Sequence, residues 1–394
     1  MSTTCDVAII GGGAIGSAIA FFLKSDPTFA GRVVVIERDP TYAQASSALS
    51  ASSIRQQFST PENIRMSLFG IAFLRDIGRH LSLEGGDRVD VGLREGGYLY
   101  LTTAAYASVL RENHATQVAA GADIVLLTPD EIVARFPWMT VHDVALGSLG
   151  LTGEGWFDGY GLMQAFRRKA RSIGAEYLAA EAVGLDVAGD LISGIRLGDG
   201  TTIHPGQVVD AAGPWSAAVA ALAGIDLPVE ARRRCVFGFD SRSETPDCPL
   251  VIDTSGVWFR PEGEAFIAAI GPPAAEDLPG LPLTVDQRQF DERVWPALAA
   301  RVPAFDSIKQ LRAWAGYYEY STFDQNAVIG RHPELTNLLF ATGFSGHGIQ
   351  HSPAVGRAIA ELLVHGAYQT LDLSIFSYER IAAGRPVVER NVIG

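Results

Sequence analysis

Hydrophobic and polar positions along the chain fall into three regimes. In the first, Cys5-Asp6-Val7-Ala8-Ile9-Ile10 reads as a short buried strand, Ser17 to about Lys24 as an apolar helix, and Arg32 to Ile36 as a second strand. Behind Pro61, the spacing of Met66, Phe69, Phe73 and Ile77 predicts a helix. Val91 to Thr102 predicts a turn and a strand centred on Gly97-Tyr98-Leu99-Tyr100-Leu101, a helix follows from about Ala105 to Ala120, and Thr128 has the N-cap signal of a shorter one.

The second regime begins with a helix from about Tyr160 to Ile173. Strands then follow at Glu176 to Leu178, Glu181 to Val187, Leu191 to Leu197 and Thr201 to Val209, the last ending at Ala212-Gly213-Pro214-Trp215. In the third, strands are segregated at Arg234 to Phe239, Val257 to Arg260, Ala265 to Gly271 and Leu311 to Tyr320, with a polar helix near Asp286 to Leu298. Such grouping predicts a mostly antiparallel sheet, unlike the alternating start. A closing strand, Asn337 to Gly343, precedes a helix expected to start after Ser352-Pro353 and to run to about His365. No internal repeat or long linker separates these pieces, so an α/β nucleotide domain interleaved in sequence with an α+β domain is expected.

Length and charge narrow the function. At 394 residues, two domains are the default, and 47% hydrophobic with 19% charged residues is a globular composition. The formal charge of −13 argues against a broad nucleic-acid surface; Arg232-Arg233-Arg234 reads as a solvated strand start. Cys5, Cys235 and Cys248 read as free thiols in a reducing compartment. No stretch of 18 apolar residues occurs and no basic region precedes an apolar segment, so a cytoplasmic location without a transmembrane segment is expected. His114, His142, His204 and His332 lack metal-like partners, and no metal site is argued.

The chemistry begins at Gly11-Gly12-Gly13-Ala14-Ile15-Gly16, which with both flanking strands and Glu37 forms the β-α-β dinucleotide fingerprint. Gly11 permits the tight turn, Gly13 admits a pyrophosphate to the backbone, and Gly16 lets helix and sheet approach. Helix N–H groups face the phosphates, and Glu37 can accept from ribose hydroxyls while disfavouring a 2′-phosphate. Thr41 to Ser59, rich in Ser and Ala, is expected to wrap a ligand, and the loop Phe344 to His351 has the glycine density of a close backbone approach.

Together the fingerprint, the Ser-rich segment, Ala212-Gly213-Pro214-Trp215 and Gly343-Phe344-Ser345-Gly346-His347-Gly348 resemble the FAD-dependent amino-acid and amine oxidoreductases, a family that includes D-amino-acid oxidase, glycine oxidase and sarcosine oxidase. Leu49 to Ser59, Pro61-Glu62-Asn63 and Trp258 to Gly263 resemble more particularly the FAD-dependent oxidoreductase domain-containing proteins, with bacterial iminodiacetate oxidases as neighbours. The resemblance implies a Rossmann-type FAD-binding domain made of residues 1–90, 146–224 and 325–394, and a substrate domain of 91–145 and 225–324. It implies FAD contacts from Gly11, Gly13, Ala14, Ile15, Gly16, Glu37, Arg38, Ser46, Ser47, Ser50, Val183, Gly213, Trp215, Gly343, Gly346, His347, Gly348, Ile349 and Gln350.

By the same resemblance Arg55 holds a substrate carboxylate. Sarcosine-oxidase-like members use lysine as second ligand where Gln350 stands, and glycine oxidase uses an arginine where Gly346 stands; Arg260 is the candidate replacement. Tyr317 occupies the place of the flavin-linking cysteine, which implies noncovalent FAD. Tyr317, Tyr318, His347 and Gln350 complete the expected catalytic set, and no lysine clearly matches the oxygen-activating one, so oxygen, a quinone or an electron-transfer flavoprotein stays open as acceptor. The implied reaction is oxidation of the carbon–nitrogen bond of a small secondary or N-substituted amino acid, iminodiacetate- or sarcosine-like, to an imine that water hydrolyses. Alternatives are a D-amino-acid or 2-hydroxy-acid dehydrogenase and a flavin-stabilised assembly or interaction protein.

Overall fold

The apolar run at the chain start builds the strand Ser2–Ile10, whose residues Val7 to Ile10 are all buried, so it lies inside a sheet and not at its edge. In this computed structural model, which describes residues 2–390, it pairs in parallel with Val33–Glu37 on one side and Thr202–Asp210 on the other. Glu176–Ala179 and Leu338–Thr342 extend the parallel order outwards, and Val328–Arg331 closes one edge antiparallel. The hairpin Ala182–Ala188 and Leu191–Leu197 joins the first half of Thr202–Asp210. Helices Ala14–Ser25, Gly159–Ser172 and Gly348–His365 cover one face of this Rossmann-type sheet, with Phe21, Phe73 and Phe166 between them. The first and last helices cross at Gly356, where a Cβ would lie 2.7 Å from that of Ala18.

The second sheet runs Ile308–Ser321, Val229–Ser241, Ala265–Ala269, Trp258–Glu262, Leu250–Ile252, Tyr98–Thr102, Leu146–Gly150, Ile124–Leu127. All neighbours are antiparallel except Leu250–Ile252 beside Tyr98–Thr102. Its core is aromatic, built on Phe237, Phe239, Phe259, Phe266 and Phe305. Leu146–Gly150, expected with the nucleotide part, hydrogen-bonds here between Tyr98–Thr102 and Ile124–Leu127, where all five of its residues are buried.

Two helix expectations are corrected. The polar helix near Asp286 is broken into Gln287–Gln289, a widened π-type turn Phe290–Val294, and Trp295–Arg301. Pro296 supplies no N–H to the preceding turn, so the ladder shifts to longer spacing just before it. The last helix starts at Gly348, not after Ser352, and Pro353 lies inside it. Proline there leaves the Ile349 carbonyl without its usual donor, and the Ser352 hydroxyl takes the place at 2.9 Å. The helix N-terminus therefore sits five residues earlier than the proline signal indicates, directly over the seam between the sheets. Among the described residues no helix is long and apolar enough to cross a membrane.

Candidate active site

Backbone geometry at the first turn fixes its glycines. Gly11 has φ +102°, and a Cβ there would sit 2.3 Å from the Ala211 carbonyl oxygen; one on Gly16 would sit 1.9 Å from the Gly11 carbonyl oxygen. Gly13 precedes the Ala14–Ser25 helix and offers no side-chain cap, so Ser47 Oγ accepts from Ala14 N–H at 3.1 Å. The Glu37 carboxylate is set at the end of its strand by the N–H groups of Gly12 and Asp39, both 2.8 Å away. A cavity of about 820 Å³ opens at this turn, with Gly11, Gly13, Ala14, Ile15, Glu37, Arg38, Ser46, Ser47, Val183, Gly213 and Trp215 on its wall. The Arg38 guanidinium lies 3.9 Å over the Trp215 ring and closes one side.

A smaller cavity of about 140 Å³ shares Ala14, Ile15, Ser46, Ser47 and Glu319 with the first. It is bounded by Ser50 and Arg55 from the Ser-rich segment, by Arg234, Tyr317 and Tyr318 from the second sheet, and by Gly346, His347, Gly348, Ile349 and Gln350. Ser46 Oγ donates to the Tyr317 carbonyl at 2.7 Å, tying the segment to that sheet, and Ser50 Oγ accepts from Ser52 N–H at 3.0 Å. Ser52 is held at φ +52°, a left-handed conformation that is strained for a serine. At Gly346, φ is +97° and a Cβ would meet the Tyr318 ring at 2.5 Å. The Gly348–His365 helix has no side-chain cap on its N-terminal residue, His347, and the N–H groups of Gly348, Ile349 and Gln350 have no acceptor among the described residues. An uncapped helix N-terminus on a cavity wall favours negative charge.

Arg55 dominates the electrostatics. Its guanidinium is buried against Phe58, Tyr98 and Tyr100, with Cζ 4.8, 5.9 and 5.9 Å from the ring centres. Gln350 Oε1 accepts from its backbone N–H at 2.9 Å, Nη2 contacts His347 Nε2 at 2.9 Å, and Nε has no acceptor. Arginine only donates, so His347 Nε2 accepts and the ring proton sits on Nδ1. Burial, then the charge of Arg55 and the neighbouring His351, hold His347 well below the usual histidine range. Burial and Arg55 take His351 down to about 3. Both imidazoles are neutral, and among the described residues Arg55 forms no ion pair.

Two buried acids flank the site. Glu319, on the shared wall, accepts from Thr342 Oγ1 at 3.0 Å and Gly343 N–H at 3.2 Å, and burial pushes it up to about 7 against these bonds. Glu154, behind Arg55, accepts from Gln56 N–H at 2.6 Å and Gln57 Nε2 at 2.8 Å; burial raises it to about 7 against these bonds and the Arg55 charge. Because the folded value of Glu154 lies above the unfolded one of about 4.3, the folded state retains a proton that the unfolded chain releases. The resulting stabilisation is complete below the unfolded value and is lost as pH rises through about 7. Thermal unfolding of Glu154→Gln is therefore expected to fall less steeply than the parent's between about pH 5 and about pH 7; parallel curves would refute the assignment.

Three expected site residues stand off the cavities. Gly16 serves helix–strand contact, and Gly343 donates to Glu319 from behind the wall. Arg260 is engaged by the Ala51 and Pro261 carbonyls at 2.6 and 2.8 Å and by Glu262, with its guanidinium 5.3 Å from the Trp156 ring, so it holds the wall and does not face the cavity. Tyr317 OH is directed away, donating to the Leu281 carbonyl at 2.8 Å. Arg232 and Arg234 are not a solvated start: their side chains are 17% and 11% exposed, paired with Glu230 and Asp277, and stacked near Tyr320 and Tyr318. Strand alternation was the available signal for Arg234, since it separates residues 232 and 234 from 233. Glu319 carried no sequence signal beyond its place in a strand.

A dinucleotide held at the first turn would pass Ser46 and Ser47 towards the seam between the sheets, where uncapped amides would stabilise negative charge on a reduced ring and an unpaired guanidinium would take an anion. That layout defines a flavoprotein oxidoreductase. The chain belongs to the family described as FAD dependent oxidoreductase, whose profile matches residues 6–362. FAD-dependent oxidoreductase domain-containing protein 1 of Xenopus laevis is 46% identical to it, over 98% of this chain and 85% of that protein. Glycine oxidase of Geobacillus kaustophilus (strain HTA426) is 28% identical over 96% of this chain and 98% of that protein. Among solved structures, L-proline dehydrogenase from P.horikoshii superposes with a TM-score of 0.84 at 27% identity, covering 98% of this chain and 100% of that one. The protein is thus an FAD-dependent enzyme. Its FAD is noncovalent, and none of the three buried cysteines lines either cavity.

Proposed function

We propose that the enzyme oxidises the carbon–nitrogen bond of a small secondary or N-substituted amino acid, sarcosine- or iminodiacetate-like. One observation carries this reading: Arg55 presents a buried guanidinium to the inner cavity without an anion to neutralise it. A buried unpaired charge is costly, and a carboxylate is the planar anion whose two oxygens match its donors. Relatives named for glycine and L-proline oxidation support an amino-acid substrate with either a primary or a secondary nitrogen.

In this reading Gln350 fixes the Arg55 backbone, and neutral His347 orients Nη2 without adding a second positive charge. Arg55 binds the substrate carboxylate, so the carbon–nitrogen bond is held at one distance and angle in the seam, and proximity supplies much of the rate. FAD, when bound along Gly11, Gly13, Glu37 and the amides of Gly348 to Gln350, supplies a two-electron acceptor for the equivalent of a hydride. The substrate nitrogen's own lone pair completes the imine as its proton departs, and water then splits the imine into a carbonyl compound and an amine. A 2-hydroxy acid would need a base instead; the Nε2 atoms of His347 and His351 are engaged by Arg55 and Ser67. Oxygen, a quinone or an electron-transfer flavoprotein takes the electrons onward.

Anaerobic mixing with sarcosine, iminodiacetate, D- and L-amino acids and 2-hydroxy acids tests this. Loss of the long-wavelength flavin absorbance is expected fastest with N-substituted amino acids, with glyoxylate or formaldehyde as product. Fastest bleaching by hydroxy acids, or none across the panel, defeats the proposal. Reoxidation rates with air, quinone and electron-transfer flavoprotein then identify the acceptor.

A further inference from the structure

Arg55 accounts for one carboxylate, yet a second guanidinium, that of Arg234, lines the same cavity. It makes a two-pronged contact with Asp277, Nη1 to Oδ1 at 2.7 Å and Nη2 to Oδ2 at 3.1 Å, and its Nε is buried without an acceptor. Asp277 does not belong to the sheet. It sits in the largely exposed irregular run between the strand Ala265–Ala269 and Gln287–Gln289. That run is tied down further along, by Gly280 N–H to the Ala231 carbonyl at 2.9 Å, Tyr317 OH to Leu281 at 2.8 Å, and Arg233 Nη1 to the Thr284 carbonyl at 3.0 Å. Asp277 N–H is itself held by the Pro273 carbonyl at 3.0 Å, so its carboxylate leaves Arg234 by side-chain rotation alone, with the backbone in place. Arg232, paired with Glu230 through Nε and Nη2, keeps its Nη1 3.9 Å from Asp277 Oδ2, a second cation beside the aspartate. Both Arg55 and Arg234 bear electrostatically on Tyr318, whose ring lies 5.0 Å from Arg234 Cζ.

We propose that Arg234 receives a second acidic group of the substrate in exchange for Asp277, so that the preferred substrate is an amino acid whose N-substituent itself carries a carboxylate. The inference rests on Arg55 anchoring the first carboxylate. Exchanging one carboxylate for another at a guanidinium leaves the number of buried charge pairs unchanged, so the dianion gains a second anchor without stranding a charge. A monocarboxylate leaves Arg234 with Asp277 and gains nothing there. For the simplest such substrate, iminodiacetate, loss of a hydride equivalent to FAD and a proton to solvent gives the imine, and water yields glycine and glyoxylate.

Oxydiacetate has an ether oxygen in place of the nitrogen and cannot undergo this oxidation; methoxyacetate is its one-carboxylate counterpart. Titrating each into the FAD-loaded enzyme and following the flavin absorbance shift should show oxydiacetate binding about tenfold or more tighter. Arg234→Gln is expected to erase that advantage while moving methoxyacetate less than about twofold, and Asp277→Asn, which weakens the resident competitor, to tighten oxydiacetate binding by about threefold. Equal affinities in the parent, or equal losses for both ligands in Arg234→Gln, would overturn the inference while leaving the Arg55 anchor standing. If neither ligand binds the parent, the Arg55 reading fails and this one with it. Flavin content of each variant reports folding, and Asp277→Asn tests the exchange even if Arg234→Gln loses FAD.

Discussion

Arg55→Ala is expected to lower kcat/KM for carboxylated amines by about 100- to 1,000-fold, the range for deleting one partner of a buried charge-assisted contact. Flavin content should fall far less than turnover, because Arg55 lines the inner cavity alone, while the glycine turn and Glu37 line the larger one. An uncharged amine should lose far less, since it makes no use of the guanidinium. Arg55→Lys restores a charge without the planar fork and without the stack on Phe58, so only part of the activity should return. Steady-state rates on matched carboxylated and uncharged amines, with flavin-to-protein ratios for each variant, check all of this; equal losses for both amines would remove Arg55 from substrate binding.

Gly16→Ala should be the most damaging change to the cofactor site. The added methyl would lie 1.9 Å from the Gly11 carbonyl oxygen, a backbone atom that no side-chain rotation can move. Helix and strand must separate, displacing Gly13 and the Ala14 N–H that Ser47 Oγ caps on the cavity wall. A loss of more than about 4 kcal/mol is expected, seen as protein purified without flavin and with a sharply lowered unfolding temperature. Gly200→Ala is the control: that glycine is left-handed, at φ +84°, unlike the helical Gly16, but a Cβ there meets nothing within 4 Å. Its cost should stay near about 1 kcal/mol, with full flavin content. If Gly16→Ala retains FAD, the close contact at the first turn is not what the site depends on.

The legible parts of the molecule are those that local physics writes into adjacent residues. The turn from Gly11 to Gly16 and the acid at Glu37 lie within one β-α-β unit, so spacing alone exposed them, whereas Arg55 was singled out only by the family resemblance. What failed to show depended on contacts distant in sequence. Arg260 looked like a free cation although Pro261 and Glu262 beside it hold Nη1, and nothing in Trp258 to Gly263 betrays that the Ala51 carbonyl, 209 positions away, receives its Nη2. Arg234 looked solvent-directed because its partner Asp277 lies 43 residues on, in an irregular run without a pattern. At Pro353 the usual rule misled, since a single neighbouring hydroxyl lets the helix run through it and begin on the cavity.

The order of strands in the first sheet also bears on biosynthesis. Its centre joins Ser2–Ile10, Thr202–Asp210 and Leu338–Thr342, so the emerging chain holds an incomplete sheet until residues 338–342 have left the ribosome. Until then, Thr202–Asp210 exposes an open edge, and the Gly348 end of the flavin cradle does not yet exist. Flavin loading should thereby wait for the synthesis of residues 338–350, and a nascent chain stalled before residue 338 should depend on chaperones rather than on the cofactor for protection.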